Sequence, residues 1–201
     1  MKLDLNKKIL SIAVIGGIAC STSVYAATTN INAVANFLTA ITLGNEADID
    51  FGTIEYSAVP GAGDTASLGT NGAIAYAGNF SGAGTGTAGS VDVTAGTDTS
   101  TIEIFCETSA TMTDGAGASI DVVGIEVVPE TGATGAYGSG TACAGLGVAA
   151  TTMALDIGGG TGDTFYFGGQ LDGSTAASFV AASYSTANAG GSDIQIDVYY
   201  Q

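Results

Sequence analysis

The sequence predicts an all-β protein built as an antiparallel β-sandwich. Three observations carry that prediction. Apolar residues recur at every second position in short runs, Gly-rich and Asn-Gly segments separate the runs, and no stretch spaces apolar residues three and four apart between helix caps.

The first element is not part of the sandwich. Lys2, Lys7 and Lys8 precede an apolar run from Ile9 to Ala19, and small residues follow, ending in Val24-Tyr25-Ala26. This is the order of a cleavable secretory signal peptide over residues 1–26, and the run is well short of the ~20 residues that cross a bilayer. Lipidation at Cys20 is the weaker reading, because Gly17-Ile18-Ala19 lacks the bulky residue usual three positions upstream. A type IV pilin leader would continue into a long apolar helix, whereas Ser21-Thr22-Ser23 come next.

From Ile31 the odd positions read Ile31, Ala33, Ala35, Phe37, Thr39, Ile41 and Leu43, with Asn32, Asn36 and Thr42 among the even ones. That alternation predicts a long strand, or two in series, with one apolar face. It sets off an N-terminal extended strand over 27–43 from a sandwich domain over 44–201. The same period returns at Ile49 and Phe51, Val91 and Val93, Ile102 and Ile104, Ile120 and Val122, and Ile125 and Val127. Met153, Leu155 and Ile157 continue it, then Phe165 and Phe167. Gly61-Ala62-Gly63-Asp64, Asn71-Gly72, Gly82 to Gly89 and Gly158-Gly159-Gly160 read as turns and loops between strands. The last strand, Asp193 to Gln201, places Ile194, Ile196, Val198 and Tyr200 on one face. Such a strand is either a sheet's ordinary last strand or an edge built to receive another.

Composition narrows the function classes. All three cationic side chains are the lysines of the leader, and of 19 Asp and Glu only Asp4 lies there, so processing leaves 175 residues with a charge near -18 before termini. A chain like that self-repels and cannot neutralise phosphates, which excludes nucleic acid and anionic lipid surfaces as partners. The sequence has no His. General-base chemistry by imidazole, a His-based triad and His metal ligation are therefore unavailable, and the processed chain has no Lys for a Schiff base or an isopeptide crosslink. Cys106 and Cys143 remain after the leader is removed, an even pair in an oxidising compartment, and are read as a structural disulfide.

Several patterns have a functional and a plain reading. Asn45 to Asp50 and Gly158 to Asp163 offer closely spaced oxygens for calcium, but neither fits the EF-hand loop and the second misses the Gly-Gly-x-Gly-x-Asp repeat. Glu103 with Glu107, or Glu126 with Glu130, could be nominated as a glycosidase pair, although nothing in the sequence makes a cleft and solvated acids are the default. Asn79-Phe80-Ser81 matches the N-glycosylation sequon, a short pattern that arises by chance. No catalytic, cofactor or metal residue is assigned, and no enzyme activity is expected.

At Ala47-Asp48-Ile49-Asp50-Phe51-Gly52-Thr53-Ile54, with Phe167-Gly168-Gly169-Gln170-Leu171 and Ile194-Gln195-Ile196-Asp197-Val198-Tyr199-Tyr200, the chain resembles the bacterial secreted family called domain of unknown function 4402. The resemblance spans most of the processed chain. It implies an immunoglobulin-like sandwich whose plan is similar to that of pilins assembled by chaperone and usher, in which a missing strand is supplied first by a periplasmic chaperone and then by the next subunit. Carried onto this sequence, Ile31, Ala33, Ala35 and Phe37 are the donor strand, and Ile194, Ile196, Val198 and Tyr200 the acceptor edge. The implied function is a structural subunit of a surface fibre, with other copies of itself, a chaperone and an usher as partners. It would pass through the periplasm to the cell surface. The alternative is a self-contained secreted sandwich that binds a glycan or a surface protein through its Gly-rich loops.

No Lys or Arg follows Lys8. The processed protein is therefore expected to yield no specific tryptic peptides, even reduced and denatured; specific fragments in a digest of purified material would mean that the leader is retained.

Overall fold

Thirteen strands are described in chain order: β1 Thr42–Ala47, β2 Ile54–Tyr56, β3 Thr65–Leu68, β4 Ile74–Ala77, β5 Phe80–Gly82, β6 Gly89–Ala95, β7 Thr101–Cys106, β8 Ser109–Thr113, β9 Ser119–Pro129, β10 Thr141–Ala142, β11 Thr151–Ala154, β12 Thr164–Ala177 and β13 Ile196–Tyr200. The computed structural model describes residues 34–157 and 163–201, and no helix occurs among them. Residues 1–26, expected to be a signal peptide, together with Ile31, Ala33 and Gly158 to Gly160, lie outside the described residues. The body that holds every strand runs from Phe37 to Gln201.

All strand pairs are antiparallel. One layer is an eight-stranded sheet, β1-β6-β12-β3-β4, with β9 also paired to β12 and carrying β8 and β10 on its far side. The second layer is β11-β7-β13, and β2 and β5 form a separate ladder. Alternation explains the core between the layers: Val91 and Val93 on β6, Ile102 and Ile104 on β7, and Phe165 and Phe167 on β12 turn inward and are buried. The antiparallel sandwich read from the sequence is what the chain forms.

Several strand boundaries differ from the sequence reading. Residues 34–41 are in no strand, and pairing with β6 begins only at Thr42. Ile49 and Phe51 flank a single bridge between Asp50 and Thr87 rather than lying in a strand; Gly52, at φ 63, turns the chain there, and its N–H donates to Asp50 Oδ1 at 2.7 Å. The final strand starts at Ile196, with Ile194 packed on the core just before it.

The largest difference is in β9. Ile120 with Val122 and Ile125 with Val127 belong to one eleven-residue strand although their parity changes between the pairs. Opposite β12 the register slips between Gly168–Glu126 and Gln170–Val123, so β9 carries one extra residue there. Gly124, at φ 58, takes the conformation this bulge needs. The bulge shifts which parity faces the core. Glu126 therefore points to the opposite face of the sheet, yet is only 3 % exposed. It is covered by the 131–140 segment, whose Gly138 and Gly140 N–H groups donate to Glu126 Oε2 at 2.9 and 3.1 Å. The same strap is held at Gly135, whose N–H donates to the buried Thr70 hydroxyl at 3.1 Å. It lies so close that a Cβ at Gly69 would come within 2.6 Å of Tyr137 N.

Just beyond the strap, Cys143 is bonded to Cys106 at the end of β7, with a Cα–Cα distance of 5.3 Å. Both cysteines are buried, and the expected disulfide ties the two layers together. Asp64 fixes the loops at the β3–β4 end. Its carboxylate accepts from Asn79 N at 2.7 Å, Asn79 Nδ2 at 3.1 Å and Gly61 N at 2.8 Å. The Asn79 backbone bond, then its side chain and the Gly61 bond hold the carboxyl below its ordinary value of 3.8. The amide of the sequon is thus engaged inside the fold.

Two measurements follow from these contacts. The disulfide closes a separation of 37 residues; replacing both cysteines by Ala should lower unfolding stability in urea by roughly 4 kcal/mol on the chain-entropy model. For Asp64 the folded pKa lies below the unfolded one, so its stabilisation is present above pH 3.8 and lost as pH falls through the folded value. Asp64→Asn is expected to be less stable than wild type at pH 7, and the gap should narrow in titrations below pH 3.8.

Candidate functional site at the open sandwich edge

Strand β13 is the last strand of its layer. It pairs in unbroken register with β7, from Ile196 opposite Cys106 to Tyr200 opposite Ile102, and among the described residues nothing pairs with its other side. The adjacent β7 seals the core: Ile102, Ile104 and Cys106 are all 0 % exposed. One strand further out, Ile194, Ile196, Val198 and Tyr200 pack on that core but remain only partly buried. The four residues expected to form an acceptor edge thus share one apolar flank of the molecule.

The other layer ends on the same flank. β11, on the far side of β7, packs against β9, which lies beyond β12; β13 therefore lies over the β6 and β1 side. Ile41, just before β1, and Leu43 within it are likewise partly buried against the core. The side of the sandwich between the β13 and β1 edges, the edge cleft, is thus lined by apolar side chains that stay partly exposed.

These two edges are not equivalent. β1 is irregular: its register with β6 shifts twice, and Asn45 takes a φ of 53 while its side chain donates to Asp92 Oδ2 at 2.9 Å. An edge bent in this way resists addition of another strand. By contrast, β13 has no bulge and its register is continuous. Phe105 and Tyr199 meet edge-on across its outer face, with ring centroids 5.5 Å apart, which fixes the strand from the solvent side.

Of the expected donor residues, Ile31 and Ala33 lie outside the described residues. Ala35 is exposed and in no strand, and Phe37 is 93 % exposed. The neighbouring Leu38 is also exposed.

The other nominated residues have partners within the fold. Glu107 accepts from Gln195 N at 3.0 Å, and Glu130 from Asp163 N at 3.1 Å; Glu103 sits in β7 opposite Thr152 and Tyr199. Glu126 anchors the strap. In the calcium candidate Asn45 to Asp50, Asn45 and Asp50 are engaged by Asp92 and Gly52. Asp163 closes the other candidate, and its carboxyl is pushed above the ordinary range by burial and then by the charges of Asp156, Glu130 and Asp98. Among the described residues no three acidic or cysteine side chains converge to hold a metal ion.

Sequence reasoning missed Thr39 and Thr97, which meet Tyr200 at one end of the cleft. No local signal marks them, since the contact joins residues far apart in the chain. Comparison with family models, with characterised proteins and with solved structures finds no match.

Proposed function

We propose that the protein is an exported structural subunit of a bacterial surface fibre, joined to its neighbours by strand donation. Ile31, Ala33, Ala35 and Phe37 of one copy enter the cleft beside Ile194, Ile196, Val198 and Tyr200 of the next. The incoming strand completes an immunoglobulin-like sandwich of the kind found in chaperone-usher pilins and in the secreted family the sequence resembles. A periplasmic chaperone covers the edge before an outer-membrane usher brings subunits together.

The observation that carries this reading is the regular edge of β13, unpaired among the described residues, above four apolar side chains in alternation that stay partly exposed while Ile102, Ile104 and Cys106 of β7 beside them are fully buried. A strand added there would satisfy a row of backbone groups while its alternate side chains fill the cleft. Ile31 and Phe37 are the large knobs; burying each contributes roughly 1.5–3 kcal/mol, and the main-chain ladder adds to that. Charge supports the same occupant. No Asp or Glu occurs between Ala27 and Gly44, so this is a segment that a strongly acidic neighbour does not repel. Donation from copy to copy is heterologous and does not close on itself, which yields a filament rather than a ring.

Deleting Ala27 to Phe37 is expected to abolish polymerisation and leave a chaperone-bound monomer, scored by electron microscopy and sedimentation. Fibres assembled by the truncated chain would refute strand donation.

A further inference from the structure

Tyr200 ends β13 with a phenol that reaches from one layer to the edge of the other. Its hydroxyl accepts a hydrogen bond from Thr97 N–H at 2.6 Å and donates to the Thr39 carbonyl at 2.6 Å. Thr39 N–H donates in turn to Thr97 Oγ1 at 2.6 Å. Gly96 makes room for this arrangement, since a Cβ there would lie 3.2 Å from the hydroxyl and 2.7 Å from Leu155 Cδ1. The root of the N-terminal arm, the β6–β7 turn and the terminal strand are closed into one ring of three hydrogen bonds.

The ring bears on direction. β13 arrives at Tyr200 opposite Ile102, at the end where β7 begins, and β1 leaves that same end opposite Ala95 and runs the other way. If the segment before Thr39 folded back along its own β13, the two would run parallel. The chain would then have to reverse between Leu38 and Ile41. Thr39 is the residue that would turn, and both its N–H and its carbonyl are committed to the ring.

We propose that the Tyr200 hydroxyl is a clamp on the root of the arm at Thr39: it opposes a turn of the chain back along its own β13 and so leaves that edge to the arm of a second copy. This inference rests on the strand-donation reading above. Tyr200 acts here as a positioning residue, through a hydroxyl that its packing on the core does not require.

Tyr200→Phe keeps the ring and removes only the hydroxyl. In hydrogen exchange on the full chain, the Thr97 amide of the variant is expected to exchange roughly tenfold faster, with Thr39 following, while β7 amides keep their protection. A synthetic peptide of residues 27–38 is then titrated onto the monomer. Wild type binds it, and Y200F is expected to bind about fivefold more weakly because its own arm competes. Deleting the arm from Y200F should restore wild-type affinity, an effect that simple damage to the cleft would not give. Unchanged exchange at Thr97, equal peptide affinity in Y200F and wild type, or no rescue on arm deletion overturns the clamp. A wild type that ignores the peptide overturns strand donation and the cleft-keeping role with it, whereas the exchange result separately decides whether the hydroxyl holds the arm root.

Discussion

The antiparallel pairing of β9 with β12 is the interaction on which the other elements depend. Between Phe165 and Ala177 β12 bonds to β9 on one side, with two register shifts, and on the other it serves β6 with its first residues and β3 with the next. Without that shared strand, the β1–β6 pair and the β3–β4 pair would have no common neighbour. Gly168 and Gly169 stand where the partner changes. A Cβ on Gly169 would come within 2.9 Å of Val122, so small residues are needed where two strands meet a third at close quarters.

A second constraint is charge of one sign. The described residues contain no Lys, Arg or His, so no cation is available to pair with a carboxylate, and the fold uses N–H and O–H donors instead. Asp114 accepts from Ala116 and Ala118 N–H groups, Asp92 from the Thr164 hydroxyl, and Asp121 from that of Thr111. Glu126 is the buried case: its Oε2 accepts from two N–H groups of the strap, while its Oε1 is buried without a hydrogen-bond partner among the described residues. Bonds of this kind act at short range and are screened little by salt. They let an acidic chain order its loops while its exposed surface stays repulsive towards other copies. Against such a surface, the uncharged 27–44 segment and the apolar β13 flank are the parts on which the proposed association rests.

That contrast links edge geometry to function. One edge of the flank, β1, is bent by two register shifts, and the other, β13, is regular. A sandwich with both edges regular would invite indiscriminate pairing, and one with both bent would accept nothing. Here the regular edge lies over apolar side chains, and the hydroxyl at its end is bonded to the Thr97 N–H and the Thr39 carbonyl.

The sequence by itself determined the all-β class, the inward faces of β6, β7 and β12, the Asn71–Gly72 turn and the Cys106–Cys143 pair. Each of these depends on side-chain period, turn chemistry or an even cysteine count, which are local or compositional properties. It also nominated all four residues along the open edge, because their alternation is unbroken. Tertiary structure alone decided the rest. The β9 bulge was illegible, since a shift of apolar parity from Ile120 and Val122 to Ile125 and Val127 does not tell a bulge at Gly124 from a turn; Glu126 was consequently read as a solvated acid rather than a buried anchor. Whether β13 is an inner strand or an edge is a matter of neighbours, and period two is the same in both. The meeting of Thr39, Thr97 and Tyr200 joins positions up to 161 residues apart, and only the folding of both layers onto one core brings them within hydrogen-bonding distance.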